Sequence, residues 1–393
     1  MMTGYSSSLA PRRQSVPPLL ERRPAVRLAG LGTATPPETL TQEEALEFTL
    51  ARCAANPQQA DWIRLIFRHA GVKRRAFAIL DGALPAVAAR HALYPPQPGP
   101  GPGTAARLEQ YAALAVPLAG RACQQALLAA RLAPAEITHL VPVSCTGFFA
   151  PGLDIGLIRG LDLDPGVRRA QIGFMGCHAA FNALAVARDM VLADPAARVL
   201  VCCVELCGLH LAYGFDPQRM IANALFADGA AAAVVTHGQS PAPSKGVPAG
   251  DQASWRLLAT ASYLIPDCAQ AMTWRIGDQG FEMGLSPAVP GLIGRHIAPW
   301  LHHWLDGLGL AVRDIANWAI HPGGPKVLSA VTAALDLPSC AADTARQILA
   351  DHGNMSSATI LFILDRLAHQ RQPGPTVALG FGPGLMAEAM LLM

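Results

Sequence analysis

Charge is what this chain has least of. Lys, Arg, Asp and Glu make up 15% of its 393 residues and nearly cancel, leaving a formal net charge of +2. A nucleic-acid-binding protein needs a basic face to neutralise phosphates. Here the basic residues are scattered, apart from small clusters such as Lys73-Arg74-Arg75. No apolar run reaches the roughly 20 residues that span a bilayer, so no membrane span is expected. Residues 1–25 lack the continuous apolar core of a secretory signal; rich in Ser, Pro and Arg, they read as a disordered arm. The nine cysteines form no CxxC pair, which removes the common zinc and redox motifs. Cys202, Cys203 and Cys207 fall in the apolar run 199–211 and read as reduced core thiols. A reducing compartment, by default the cytoplasm, is expected.

What is present is apolar: 51% of the residues, enough at this length for two domains or one duplicated fold. Residues 26–34 read as a strand ending in glycine turns, and 41–56 and 60–70 as helices, with Thr41 and Glu44 spaced as a capping box. Residues 95–103 hold so many Pro and Gly that a loop is the remaining choice. A helix over 105–132 leads into a buried strand over 139–146. Strands over 168–174, 198–204 and 230–236 follow, with a helix over 178–193. Residues 238–252 read as a linker. Beyond it come strand 255–262, helix 289–308, strand 316–320, helices 325–335, 343–350 and 356–370, and strand 375–381. Short apolar strands alternating with helices predict a mostly parallel sheet covered by helices. The domain reading is an arm (1–25), an N-terminal half (26–245) and a C-terminal half (246–393), the last two joined as a structural duplication.

Three residues stand out for chemistry. Cys177 follows Gly176 and precedes the Ala-rich run 179–192. A thiol at a helix start meets the positive end of the dipole and unpaired N–H groups, which favour the thiolate. His321 lies in Ala319-Ile-His-Pro-Gly-Gly-Pro325 and Asn354 in Asp351-His-Gly-Asn-Met-Ser-Ser357. Singly, each has a plain structural explanation: a core thiol, a turn histidine, an asparagine capping beside glycine. Jointly, each sits at a strand or loop end leading into a helix, where α/β sheets place their sites. A thiolate held by an imidazolium is a good nucleophile at neutral pH. An imidazole N–H and an Asn amide can point at one oxyanion. His178 and His352, beside these motifs, read as structural.

The motifs resemble those of the chalcone and stilbene synthase family, the type III polyketide synthases. The shared segments are the Gly176-Cys177 nucleophile turn, His321-Pro-Gly-Gly-Pro325, Gly353-Asn-Met-Ser-Ser357, the glycine loop Gly380-Phe-Gly-Pro-Gly-Leu385 and Ala224-Leu-Phe-Ala-Asp-Gly-Ala230. They run in family order from about residue 26 to the C-terminus. The resemblance implies a five-layered αβαβα thiolase fold of two duplicated α/β halves and, as in the family, a homodimer, with residues 147–152 meeting the partner. It implies Cys177 as acyl carrier, His321 and Asn354 as ligands of the malonyl-CoA thioester carbonyl, and Phe226 as gatekeeper between CoA tunnel and cavity. Ser356, Gly382 and Pro383 would line the pocket. Acyl-CoA and malonyl-CoA are the substrates so implied, with no metal or redox cofactor.

Several positions depart from the plant enzymes. Cys145-Thr146 replaces Thr-Ser, Cys207 and His210 replace two pocket threonines, Met283 replaces a second gatekeeper phenylalanine, and Trp274 falls near a cavity glycine. The plant CoA-contacting lysines are not reproduced; Arg64, Arg68, His69 and Lys326 are the nearest basic candidates. Thinned aromatics and a flexible thioether at the cavity mouth point to long acyl starters and to alkylpyrone or alkylresorcinol products. The alternatives are an aromatic or malonyl starter giving a chalcone-, stilbene- or tetrahydroxynaphthalene-type product, and a single condensation of the ketoacyl synthase III kind. A Cys-His-Asn hydrolase offers no reason for the terminal glycine loop.

Overall fold

The computed structural model describes residues 26–80, 93–94, 99–238 and 254–393. The expected N-terminal arm and nearly all of the expected linker lie outside the described residues. In chain order the first half runs β1 (Val26–Ala34), β2 (Thr39–Thr41), α1 (Gln42–Cys53), α2 (Pro57–His69), β3 (Arg74–Ala76), α3 (Thr104–Ala130), β4 (His139–Ser144), α4 (Leu153–Leu161), β5 (Arg168–Arg169), β6 (Ile172–Gly173), α5 (Ala179–Ala193), β7 (Arg198–Leu206), α6 (Pro217–Leu225) and β8 (Asp228–His237). The second runs β9 (Trp255–Leu264), β10 (Met272–Gly277), β11 (Gly280–Leu285), α7 (Val289–Asp306), β12 (Asn317–Ile320), α8 (Pro325–Ala334), α9 (Asp343–His352), α10 (Thr359–Gln370), β13 (Thr376–Gly382) and β14 (Met386–Leu392).

The capping box forms as expected: Thr41 Oγ1 accepts from Glu44 N at 3.2 Å and Glu44 Oε2 from Thr41 N at 2.8 Å. Ten strands make one sheet, ordered β12-β13-β14-β9-β1-β8-β7-β4-β5 with β6 also on β4. The expected mostly parallel sheet is mixed instead. Only the pairs of β4 with β5, β6 and β7, and of β12 with β13, are parallel; the others are antiparallel. Apolar periodicity reports burial, not strand direction. Here a short return such as β13 to β14 dictates antiparallel pairing. The expected strand 168–174 is two pieces of two residues each.

Both faces of the central strands are buried. On β8, Ala231, Ala233 and Val235 enter one apolar core, and Ala230, Ala232 and Val234 the other. Period-2 alternation with no polar face is what a strand covered on both sides requires. Helix α3 covers one side of β1, β7 and β8. Helix α5 packs between strands of both halves, against β4, β7 and β8 and against β9 and β14, while α10 bridges β1, β8 and β12. Helices α7 and α8 share the core of Ala231 and Ala233 with β12 and β13. Among the described residues, the strands β5-β4-β7-β8-β1 and β9-β14-β13-β12 are joined only through the pairing of residues 26–28 with β9, and with α5 and α10 packed against both sets the stacking is α-β-α-β-α. Among the described residues no helix is long and apolar enough to cross a membrane.

Candidate active site

The nucleophile turn is a short 3-10 turn, Gly176–His178, placed directly before α5. Its backbone is tight: Phe174 has φ 61° and Gly176 φ 80°. A Cβ on Gly176 would lie 2.4 Å from Pro383 Cδ, and one on Gly382 2.2 Å from His178 Cδ2. Bare backbone at both positions lets the terminal glycine loop close over Cys177. His178 is buried, and its Nδ1 meets Asn182 Oδ1 at 2.8 Å. Asn182 in turn donates to Glu388 Oε1 at 3.1 Å, which supports the structural reading of His178.

Asn354 is fixed by its own loop. Its N–H donates to Leu225 O at 2.8 Å, and its carbonyl accepts from Ala227 N at 2.9 Å. Ser356, held at φ 46°, turns its N–H back onto Asn354 Oδ1 at 2.9 Å. With the carboxamide oxygen occupied, the NH2 group is left for the Cys177 sulfur, which the Asn354 side chain hydrogen-bonds. His321 follows the C-terminal end of β12, its N–H bonded to Leu379 O at 2.8 Å. Both ring nitrogens of His321 are buried, and neither has a partner among the described residues. A buried imidazole with no partner is costly and fits a site whose ligand supplies the partner.

Burial works against the expected thiolate–imidazolium pair. Burial, with the charge on Glu205, raises the Cys177 thiol to about 11, although Ser356 and Asn354 side chains hydrogen-bond the sulfur and pull the other way. Burial, with His178 nearby, lowers His321 to about 3. Desolvation opposes both charges and works against the helix terminus.

One cavity of about 260 Å³ opens at Cys177. Its walls include Phe226, Met283, Ser356, Cys145, Thr146, Cys207, His210, Trp274 and Pro383. Gly382 is not on the wall; it packs on His178 behind it. Arg64, Arg68 and His69 are exposed on α2, and Lys326 is exposed at the start of α8; none reaches the cavity. Arg64 pairs instead with Asp61 at 2.9 Å. The basic residue that does line it is Arg219, paired with Glu282 at 2.9 Å.

The aromatics are not thinned. Phe281 stands two residues before Met283 on β11, and the His210 ring stacks on it at 4.3 Å and 12°. Trp274 meets both rings edge-on and donates to Cys145 O at 2.8 Å. His210 is locked as one neutral tautomer: its Nε2 donates to Thr146 O at 2.7 Å, and its Nδ1 accepts from Phe281 N at 2.9 Å. Burial lowers its pKa to about 3.

Sequence reading missed Glu205. Fully buried on β7, its Oε2 accepts from Thr146 Oγ1 at 2.8 Å and Cys145 N at 3.0 Å, and its Oε1 from Ser357 Oγ. Burial raises it to about 7. A single carboxylate inside the apolar run 199–211 was the available signal.

Within a five-layered αβαβα fold, a buried thiol hydrogen-bonded by an asparagine carboxamide, with a buried, unpartnered imidazole at a strand end, is the residue set of a condensing enzyme of the thiolase type. Comparison with known proteins narrows the class. The family models for the N-terminal and C-terminal domains of chalcone and stilbene synthases match residues 19–241 and 256–393, and the chain belongs to that family. It is 31% identical over 372 residues to the alpha-pyrone synthesis polyketide synthase-like protein Pks18 of Mycobacterium tuberculosis, covering 93% of this chain and 90% of that one. It is 33% identical over 381 residues to 1,3,6,8-tetrahydroxynaphthalene synthase of Streptomyces peucetius, covering 93% and 92%. The crystal structure of PKS-I from the brown alga Ectocarpus siliculosus superposes with a TM-score of 0.85 at 28% identity, covering 94% and 98%. The fold is the thiolase fold, and the chain is a type III polyketide synthase, an acyltransferase that condenses acyl units with decarboxylation of malonyl-CoA.

Proposed function

We propose that Cys177 carries the growing chain, that His321 and Asn354 bind the thioester oxygen of malonyl-CoA, and that long-chain acyl-CoA starters are extended to alkylpyrones or alkylresorcinols. Cys177 Sγ adds to the starter thioester, its proton passing through His321 to the departing CoA sulfur. Loss of CO2 from malonyl-CoA leaves an electron pair that spreads onto the thioester oxygen. The N–H groups of His321 and Asn354 stabilise that charge. The enolate carbon then attacks the acyl–Cys177 carbonyl; a C–C bond forms, the C–S bond breaks and the Cys177 thiolate leaves. No general-base carboxylate, metal or redox cofactor enters these steps. The neutrality of His321 suits a donor that must not quench an enolate by protonating it.

The observation that carries the substrate reading is the cavity wall around Cys177. Met272, Met283, Cys145, Cys207 and Leu211 give apolar, adaptable surface for an alkyl chain. The similarity to an alpha-pyrone synthase supports it. A malonyl starter folded into a compact aromatic product is the second reading. It is favoured by the His210–Phe281–Trp274 wall, which opposes a flat surface to the chain, and by the tetrahydroxynaphthalene synthase relative. A homodimer is part of the proposal, since Met175, beside Cys177, and Val186 on α5 are 39% and 36% exposed and would be covered by a partner.

The test is a product assay with radiolabelled malonyl-CoA and starters from acetyl- to stearoyl-CoA, with p-coumaroyl- and benzoyl-CoA beside them. Tri- or tetraketide pyrones or resorcinols from long chains support the alkyl reading. Products from malonyl-CoA alone, or from aromatic starters alone, transfer the assignment to the second reading. The same preparation should elute at twice the chain mass; a monomer removes the dimer.

A further inference from the structure

Arg75 ends the Lys73-Arg74-Arg75 cluster and, by its sequence, belongs on the surface. It is instead 1% exposed, on β3 opposite Leu40. Among the described residues no carboxylate is paired with it. Its guanidinium lies between Phe67 and Phe77, 5.7 and 5.6 Å from their ring centroids. An arginine buried without a counter-ion is expensive, so what it bonds to matters.

It bonds to the end of α6. Nη1 donates to Asn223 O at 2.7 Å and to Phe226 O at 3.0 Å. The last carbonyls of a helix have no partner within it, and here each can be accounted for. Ala222 O accepts from Phe226 N. Asn223 O would ordinarily accept from Ala227 N, but that N–H goes to Asn354 O, and Arg75 takes its place. Ala224 O accepts from Gln42 Nε2 at 3.1 Å. Leu225 O accepts from Asn354 N. The α6 terminus, Phe226 and Asn354 thus form one hydrogen-bonded unit, closed by a parallel bridge between Phe226 and Asn354. Gly353, at φ +73°, lets the Asn354 loop lie on this unit: a Cβ there would be 2.9 Å from Ala227 Cβ, 3.1 Å from Leu225 O and 3.3 Å from Arg75 Cβ.

We propose that Arg75 is the positioning residue of the site. By holding the carbonyls of Asn223 and Phe226, it fixes the segment to which the backbone of Asn354 is bonded, and so the place of the Asn354 amide. The proposal rests on the reading of Asn354 given above. Burial lowers the Arg75 pKa to about 9, which leaves the guanidinium charged at neutral pH. A charged donor suits two helix-terminal carbonyls better than a neutral one.

The test separates decarboxylation, which needs Asn354, from loading, which needs Cys177. In Arg75→Met, the kcat for malonyl-CoA decarboxylation should fall about 10²-fold, as a displacement of order 1 Å does. The KM for malonyl-CoA and acylation of Cys177 by starter, followed by protein mass, should stay within a few-fold. Arg75→Lys, keeping a charged donor for one carbonyl, should recover part of the lost kcat. Equal losses in decarboxylation and loading, or a kcat that does not move, overturn the proposal. Should Arg75→Met not fold, the Arg75→Lys kcat-against-loading split decides alone. Asn354→Ala is the control: if it loses decarboxylation while Arg75→Met does not, only the Arg75 role falls. If it keeps decarboxylation, the Asn354 reading falls and takes the Arg75 role with it.

Discussion

Burial and the negative charge of Glu205 push the Cys177 thiol up, against the hydrogen bonds from Ser356 and Asn354. Of these, the Glu205 charge can be removed with little change of shape. Glu205→Gln keeps one acceptor for the Ser357, Thr146 and Cys145 donors and deletes the repulsion. The Cys177 pKa should fall. Its alkylation by iodoacetamide at pH 8 should quicken by up to about tenfold, the gain in thiolate when a thiol becomes more acidic by about 1.4 kcal/mol. An unmoved profile would mean that Glu205 is already protonated in the resting protein. The residue scale is also where sequence reading divides most sharply. Cys177, His321 and Asn354 are visible because each is framed by Gly or Pro that must stand next to it. Glu205 is marked only by the apolar run around it, and Arg75 by nothing, because a charged side chain in a basic cluster looks the same in sequence whether it faces water or is buried among groups far away in the chain.

Elements were legible where their cause is local. The α1 cap needs only Thr41 and Glu44; β7 and β8 are runs of small or branched apolar residues, and their burial on both faces follows. Strand β14 was missed because Met386-Ala-Glu-Ala-Met-Leu-Leu392 is made of helix formers; pairing with both β13 and β9 overrides that propensity. Helix α6 was missed as well, being nine residues long, although it carries the Phe226 gate at its end. The glycine loop was legible as a motif, but its partner was not: it is the nucleophile turn, through the approach of Gly382 to His178. Gly382→Ala would place a Cβ 2.2 Å from His178 Cδ2. It should destabilise by about 1–3 kcal/mol, the usual cost of overpacking, and lower condensation activity. His178→Ala in the same chain removes the clash. A double-mutant cycle of melting temperatures should show the second change recovering much of the first; simple additivity would mean that the loop and the turn are not in contact.

At the scale of the whole molecule, two buried carboxyls and two buried imidazoles set opposite limbs of a stability profile. Glu205 and Asp228 are raised to about 7 from ordinary values of 4.5 and 3.8, chiefly by burial. The folded state therefore binds protons that the unfolded chain has released. Their contribution is full below the unfolded values and is lost as pH rises through about 7. His210 and His321 are lowered to about 3 from 6.5, again by burial. The unfolded chain takes up protons that the folded state refuses, so this contribution is full above 6.5 and is lost as pH falls. Where two protons lost by one limb balance two gained by the other, the slope is zero; for these four groups that falls between about pH 5 and 6. Melting temperature measured from pH 4 to 9 should peak there. Glu205→Gln removes half of the alkaline limb, and the peak should then move to about 7. A wild-type peak at or above neutrality would show that the hydrogen bonds to Glu205 and Asp228 fully offset their burial. In that case Glu205 would stand ionised beside Cys177 across the working range, and its charge, not its proton, would be what the site has to overcome when the thiolate forms.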